Sequence, residues 1–138
     1  MDLIKHFENA RNAVVIEAGQ TIFKQGQRGT VMYVLLDGVA EILVGERTVE
    51  LAHGGALIGE MALLDDEPRS ASVVARTACR VVPIPQAQFD LLVQETPEFA
   101  RRVMASLTSR LRHMNQSVPA AQLVASRPRV RPAHRLAA

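Results

Sequence analysis

From Ala13 to Ile84 the apolar residues come in short runs separated by glycines and turn residues: AVVIEAG, TIFKQG, VMYVLLDG, VAEILVGE, RTVELAHGG, SASVVAR and CRVVPI. Runs of this length and spacing predict an all-β sandwich or barrel. Val31 to Leu36 is apolar without alternation, which predicts a strand covered on both faces. Thr48 and Glu50 alternate with Val49 and Leu51, the pattern of a half-exposed strand. Together they predict a closed, jelly-roll-like β-roll. Asp37-Gly38, between two apolar runs, reads as a hairpin with a two-residue type I′ turn, in which both residues take positive φ. Gly45-Glu46 reads as a second turn.

At both ends of the chain the period changes. Leu3, Ile4 and Phe7 fall at helical spacing and predict a short N-terminal helix over 2–10. After Pro85, Phe89, Leu92 and Val93 fall at i, i+3 and i+4, and Thr96-Pro97 supplies an N-cap and first-turn proline for another helix. The two closing helices span roughly 86–95 and 97–116. The second carries Phe99, Val103, Leu107, Leu111 and Met114 along one stripe, which is expected to lie against the roll. The predicted class is therefore mainly β with flanking helices. From Pro119 the sequence has three prolines, scattered small residues and no period, so the chain divides into a domain over 1–118 and a flexible Arg-rich tail over 119–138.

At 138 residues the chain holds one domain, and one independent core is what that length supports. Aromatics are only 4%, with no Trp and one Tyr, so the core is aliphatic and a stacking platform for single-stranded nucleic acid is not expected. A single cysteine, Cys79, excludes an intramolecular disulfide and suits a reducing cytoplasm. No run approaches the ~18 apolar residues of a membrane span, and the first residues lack the pattern of an export signal. The net charge of +2 is unevenly placed: residues 1–118 balance at −2, while Arg127, Arg129, Arg131 and Arg135 make the tail +4. His6, His53, His113 and His134 form no i, i+2 or i, i+4 pair, so no metal site is expected. Cys79, on an apolar strand, reads as a buried small hydrophobe rather than a nucleophile.

The segment GGALIGEMALLDDEPRSASVVA, residues 54–75, carries the candidate chemistry. Gly59 lets a ligand approach the backbone, and Glu60 to Leu64 are good helix formers. The amides of Glu60, Met61 and Ala62 at that helix start make an anion site of phosphate size. Asp65 and Asp66 end the turn. Pro68 constrains Glu67 and presents Arg69 at the entry of the next strand, where period-two alternation puts it on the face of Ala71, Val73 and Ala75. An inward guanidinium calls for an anion, and its fork suits a phosphate, with the Ser70 hydroxyl beside it. Glu60 next to a phosphate is costly unless it accepts hydrogen bonds from hydroxyls, so a ligand with a phosphate on one side and a sugar on the other satisfies both. Such a ligand is a nucleotide.

Gly59-Glu60-Met61-Ala62-Leu63-Leu64, four residues, then Pro68-Arg69-Ser70-Ala71 closely resembles the phosphate-binding cassette of cyclic nucleotide-binding domains, of the catabolite-activator-like and bacterial channel-like kind. Ala18-Gly19, Gly26, Gly29, the MYVLLDGVAEI segment and the closing helices follow the same pattern over about 13–116. The resemblance implies that Arg69 binds the exocyclic oxygens of the cyclic phosphate, Glu60 takes the ribose 2′-hydroxyl, and amides on the Gly59 side complete the cradle. Ser70 stands where Thr is often associated with cyclic GMP, which favours cyclic AMP. In the family the last helix usually closes over the base; here Arg110, Arg112, His113 and Asn115 are the candidates.

The reading that results is a cytoplasmic, non-enzymatic cyclic AMP receptor module, with cyclic GMP as the second possible ligand and no cofactor or metal. A phosphodiesterase needs metal ligands or a general base at the phosphate, and Ser70 and Ser72 have none beside them. Residues 117–138 cannot hold a helix-turn-helix, so an effector protein is the implied partner, and the last helix offers a possible homodimer contact. The alternative is a scaffold for nucleic acid or protein with a degenerate cassette, acting through the Arg-rich tail.

Overall fold

The computed structural model describes residues 1–116, so the tail over 119–138 lies outside the described residues. Among the described residues, eight strands form two four-stranded sheets in which every pairing is antiparallel. In chain order they are β1 (Val14–Ile16), β2 (Thr21–Phe23), β3 (Val31–Asp37), β4 (Ala40–Val44), β5 (Arg47–Ala52), β6 (Leu57–Ile58), β7 (Ser72–Ala75) and β8 (Cys79–Pro85). One sheet runs β1-β8-β3-β6 and the other β2-β7-β4-β5. Four described helices accompany them: α1 (Leu3–Phe7), α2 (Glu60–Asp65), α3 (Gln86–Glu95) and α4 (Pro97–Gln116). This is the β-roll with flanking helices that the run pattern predicts. Packing separates Met1–Leu107 from a second unit that begins at Thr108 and that, among the described residues, holds the last turns of α4. None of the described helices is long and apolar enough to cross a membrane.

The unbroken apolar character of β3 has a direct cause. Met32, Val34 and Leu36 point to a cluster that also holds Leu3, Phe7, Val82, Ile84, Phe89, Phe99 and Val103, the layer between sheet and helices. Leu35 points the other way, into the space between the sheets, with Ile42, Val73, Ala75, Cys79 and Val81. Both faces are therefore covered, as expected. In Cys79, burial first and then Asp37 push the thiol up, against a smaller opposing effect of the Val39 backbone. It is a packed, neutral side chain.

Four local expectations are corrected. Asp37-Gly38 is not a type I′ hairpin: β3 and β4 lie in different sheets, and among the described non-glycine residues only Asp66 has positive φ. Gly38, at φ +96°, turns a corner between the sheets. A corner needs one left-handed residue and a type I′ hairpin two, but both place a glycine after an apolar run, so the dipeptide does not separate them. Gly45, at φ +63°, does join the paired strands β4 and β5.

In β5 the exposure is reversed, with Leu51 exposed and Glu50 half-buried. The register slips between Ile42 and Leu43, which pair with Glu50 and Thr48 and leave Val49 as the extra residue. A one-residue bulge moves every following side chain to the other face. The N-terminal helix is shorter than 2–10: it is capped by Asp2, whose side chain accepts from the Lys5 amide at 3.1 Å, and ends at Phe7. On α4 the apolar stripe is covered only in part: Phe99 and Val103 are buried and Leu107 packs against them, but Leu111 and Met114 are each 59% exposed.

Gly38 also carries a packing constraint. A Cβ there would overlap the Ala78 carbonyl and sit 2.8 Å from Cys79 Cα, backbone atoms that cannot step aside. Gly38→Ala is expected to destabilise the fold by at least ~2 kcal/mol in urea denaturation, combining left-handed strain with this overlap. Gly45→Ala meets nothing within 4 Å and carries the strain alone. Equal losses at the two sites would refute the packing argument.

Candidate functional site

The site is assembled around the start of α2. Gly59 caps this helix at φ 82°, a left-handed conformation that glycine adopts without a side-chain penalty. Space excludes a side chain as well, since a Cβ would lie 2.5 Å from Arg69 Nη1 and 3.0 Å from Phe23 Cε2. The helix covers the six residues Glu60–Asp65 and ends at Asp66, itself left-handed at φ 55°. The Glu67 amide then donates to Asp65 Oδ1 at 3.0 Å, which sets the turn toward Pro68. Helix geometry leaves first-turn amides such as those of Met61 and Ala62 without an acceptor inside the helix. Ala62 is buried and Met61 half-buried.

Arg69 is held by backbone and side chain together. Its amide donates to the Gln27 carbonyl at 2.8 Å, and its carbonyl accepts from the Gly26 amide at 2.9 Å, so the turn at Gly26 fixes where it enters the roll. Val73 and Ala75 are buried and Ala71 packs on the same inter-sheet cluster, which agrees with the predicted inward face. Arg69 is only 6% exposed. Nη1 donates to the Gly59 carbonyl at 2.9 Å, Nη2 donates to the Val31 carbonyl, and Cζ lies 4.0 Å over the Phe23 ring. The ring supplies a cation–π contact. Burial lowers the guanidinium's hold on its proton, while Tyr33 and Glu60 act in the opposite direction. An arginine so placed keeps its charge.

Glu60 has no solvent exposure, and its Oε1 accepts from Ser106 Oγ of α4 at 3.4 Å. Two side chains of opposite charge are thus buried at one helix start, on a roll whose buried side chains are otherwise hydrophobic. Ser70 is exposed, and its Oγ lies 3.8 Å from Met61 Sδ. Gly59, Glu60, Met61, Ala62, Arg69 and Ser70 therefore come together as expected. Arg110, Arg112, His113 and Asn115 lie on α4 in the second unit; Arg110 is half-buried and the other three are exposed. Among the described residues no group of three or more His, Cys, Asp or Glu could hold a metal ion.

Four participants escaped the sequence reading: Phe23, Gly29, the Val31 carbonyl and Ser106. Gly29 is the clearest, because a Cβ there would overlap the Arg69 guanidinium. Its sequence signals are its place in the family's glycine pattern and the spacing Gly26-x-x-Gly29 ahead of an apolar strand, which mark a turn but not what the turn makes room for. Phe23 sits in a strand run and reads as core.

A family model described as cyclic nucleotide-binding domain matches residues 13–96. Over 106 residues the chain is 36% identical to a cAMP-dependent protein kinase regulatory subunit of Aspergillus fumigatus, covering 72% of this chain and 26% of that protein. Over 73 residues it is 44% identical to a cGMP-dependent protein kinase of Plasmodium berghei, covering 49% of this chain and 8% of that protein. Among solved structures it is similar to the catabolite activator protein of Thermus thermophilus, with a TM-score of 0.67 and 31% identity over 75% of this chain and 51% of that one. The chain spans about a quarter of the first relative's length and less than a tenth of the second's.

Proposed function

The chain belongs to the cyclic nucleotide-binding domain family, and we propose that it is a non-enzymatic receptor module for a cyclic nucleotide, cyclic AMP in preference to cyclic GMP. The observation that carries the reading is the burial of both Arg69 and Glu60 beside Gly59, at the start of α2. Isolated buried charges are costly, and a buried ion pair alone gains little net stability. A ligand with a phosphate and a sugar hydroxyl gives both groups a use.

In this reading the cyclic phosphate lies at the start of α2. Two of the five guanidinium N–H bonds of Arg69 go to the Gly59 and Val31 carbonyls, which fixes the plane of the fork and leaves donors for the anion. The first-turn amides and Ser70 complete the phosphate contacts, and Glu60 accepts from the ribose 2′-hydroxyl. The preference for cyclic AMP rests on Ser70, and Arg110, Arg112, His113 and Asn115 are the proposed base contacts. Ligand capture biases the closing helices through Gln86: its Nε2 donates to the Leu63 carbonyl of α2 at 3.2 Å and to Asp90 Oδ1 of α3 at 2.9 Å. A displacement of α2 changes these bonds, and the ligand shifts the equilibrium by its differing affinity for the two arrangements. An effector protein reads the change.

Calorimetric titration of cyclic AMP and cyclic GMP into the purified, nucleotide-free chain tests this. Micromolar or tighter binding of cyclic AMP, with cyclic GMP weaker, is expected. Equal or reversed affinities would refute the base preference alone. No heat and no thermal shift with either ligand at saturating concentration would refute the receptor.

A further inference from the structure

Ser106 stands where a ligand hydroxyl is expected. It is half-buried on α4, one helical step from the buried Val103 and two from the buried Phe99. Its Oγ donates to Glu60 Oε1 at 3.4 Å. Four residues earlier on the same side of the helix, Arg102 Nη2 donates to the Gly55 carbonyl at 3.2 Å. Besides its apolar packing, α4 thus makes two polar contacts with the segment leading into α2, and one of them ends on a carboxylate with no solvent exposure.

A buried carboxylate draws in donors because water is not there to supply them. The Ser106 bond is long for a hydroxyl pair, which settles at about 2.7–2.8 Å. A free ligand hydroxyl, unconstrained by a helix, can approach to that distance and take the oxygen.

We infer that Ser106 is a built-in competitor for Glu60 Oε1: its hydroxyl holds that oxygen in the ligand-free protein and is displaced from it by a sugar hydroxyl, which releases one tether of α4. This rests on the ribose-binding role proposed above for Glu60. Two consequences follow from exchanging one hydrogen bond for another. The 2′-hydroxyl adds little affinity in the wild-type chain, since its gain is offset by the bond it breaks. Site occupancy is also coupled to α4 through a direct contact, without an intervening pathway.

The test titrates wild type and Ser106→Ala with cyclic AMP and with 2′-deoxy cyclic AMP. If cyclic GMP is the tighter ligand, it and its 2′-deoxy analogue take their places. In wild type the two ligands are expected to bind within about threefold of each other, because much of the ligand's bond is offset by the one it displaces. In Ser106→Ala the ribose ligand is expected to bind about three- to tenfold tighter, the size of one net hydrogen bond, while the deoxy ligand is unchanged. The ratio between them widens by that factor. Alanine suits a helix interior, and Ser106→Thr, which keeps a hydroxyl, is expected to retain the wild-type ratio. Equal changes for both ligands in Ser106→Ala, or weaker binding of the ribose ligand, would overturn the competitor role while leaving the receptor intact. Failure of the wild-type chain to bind any of these ligands removes the receptor reading and this inference with it.

Discussion

Arg69→Ala is expected to weaken cyclic AMP binding by about 2–5 kcal/mol, the range for truncating one partner of a buried, hydrogen-bonded charge pair. The guanidinium is the buried cation at the start of α2, with one donor on the Gly59 carbonyl, one on Val31 and its face on Phe23. Removing it strips the phosphate of its counter-charge and leaves two backbone carbonyls without a donor, so some stability is lost as well. Binding and folding are separated by measuring affinity calorimetrically below the melting transition of the variant. Arg69→Lys is expected to recover little, because an ammonium cannot reach two carbonyls and a phosphate from one plane. Affinity unchanged in Arg69→Ala would remove the cassette from the mechanism.

Phe99→Ala is expected to destabilise the fold by about 3–5 kcal/mol in urea denaturation. Phe99 is fully buried at the start of α4 and meets the Phe89 ring edge-to-face, at 6.0 Å between centroids and 75° between planes. The layer around it draws on α1, β3, β8, α3 and α4, so no single neighbour can collapse into the space it leaves. Against a typical total of 5–15 kcal/mol the loss is a large fraction. Leu111→Ala, at an exposed position of the same stripe, is expected to stay within about 0.5 kcal/mol. A Phe99→Ala loss below ~1 kcal/mol would mean that α4 is not anchored by this residue.

The two predictions draw on different kinds of information in the chain. Arg69 was found from neighbours within ten residues: a glycine before a short helix former run, a proline that fixes direction, then alternation into a strand. Each is a local steric rule, and the structure agrees in position, with Gly59 left-handed and Arg69 inward. Phe99 was found from helical period, and its burial agrees. The same period also marked Leu111 and Met114, which are exposed, because a stripe says which face is apolar and not how far along the helix a surface extends to cover it. β6 was missed because two residues, Leu57 and Ile58, are too short for any period to register.

The larger departures share one cause. Asp37-Gly38 has the local chemistry of a hairpin, yet β3 pairs with β8 and β6 while β4 pairs with β5 and β7. Partner choice depends on which distant strand buries more surface, and this outweighs the turn. In β5 the alternation is sound locally, but the extra residue at Val49 is defined only against β4.

By itself, then, the sequence determined the β-roll class, the helices at both ends and the order of the cassette, because these follow from period and from the steric limits of glycine and proline over a few residues. Tertiary structure alone decided the surroundings of the two buried charges. Arg69 donates to a carbonyl 38 positions away, and Glu60 accepts from a hydroxyl 46 positions away. A backbone carbonyl carries no residue identity, and a serine on a helix looks the same whether it faces water or a carboxylate. Such contacts exist only once the sheets have closed and α4 has docked, and they set how tightly the site is held before any ligand arrives.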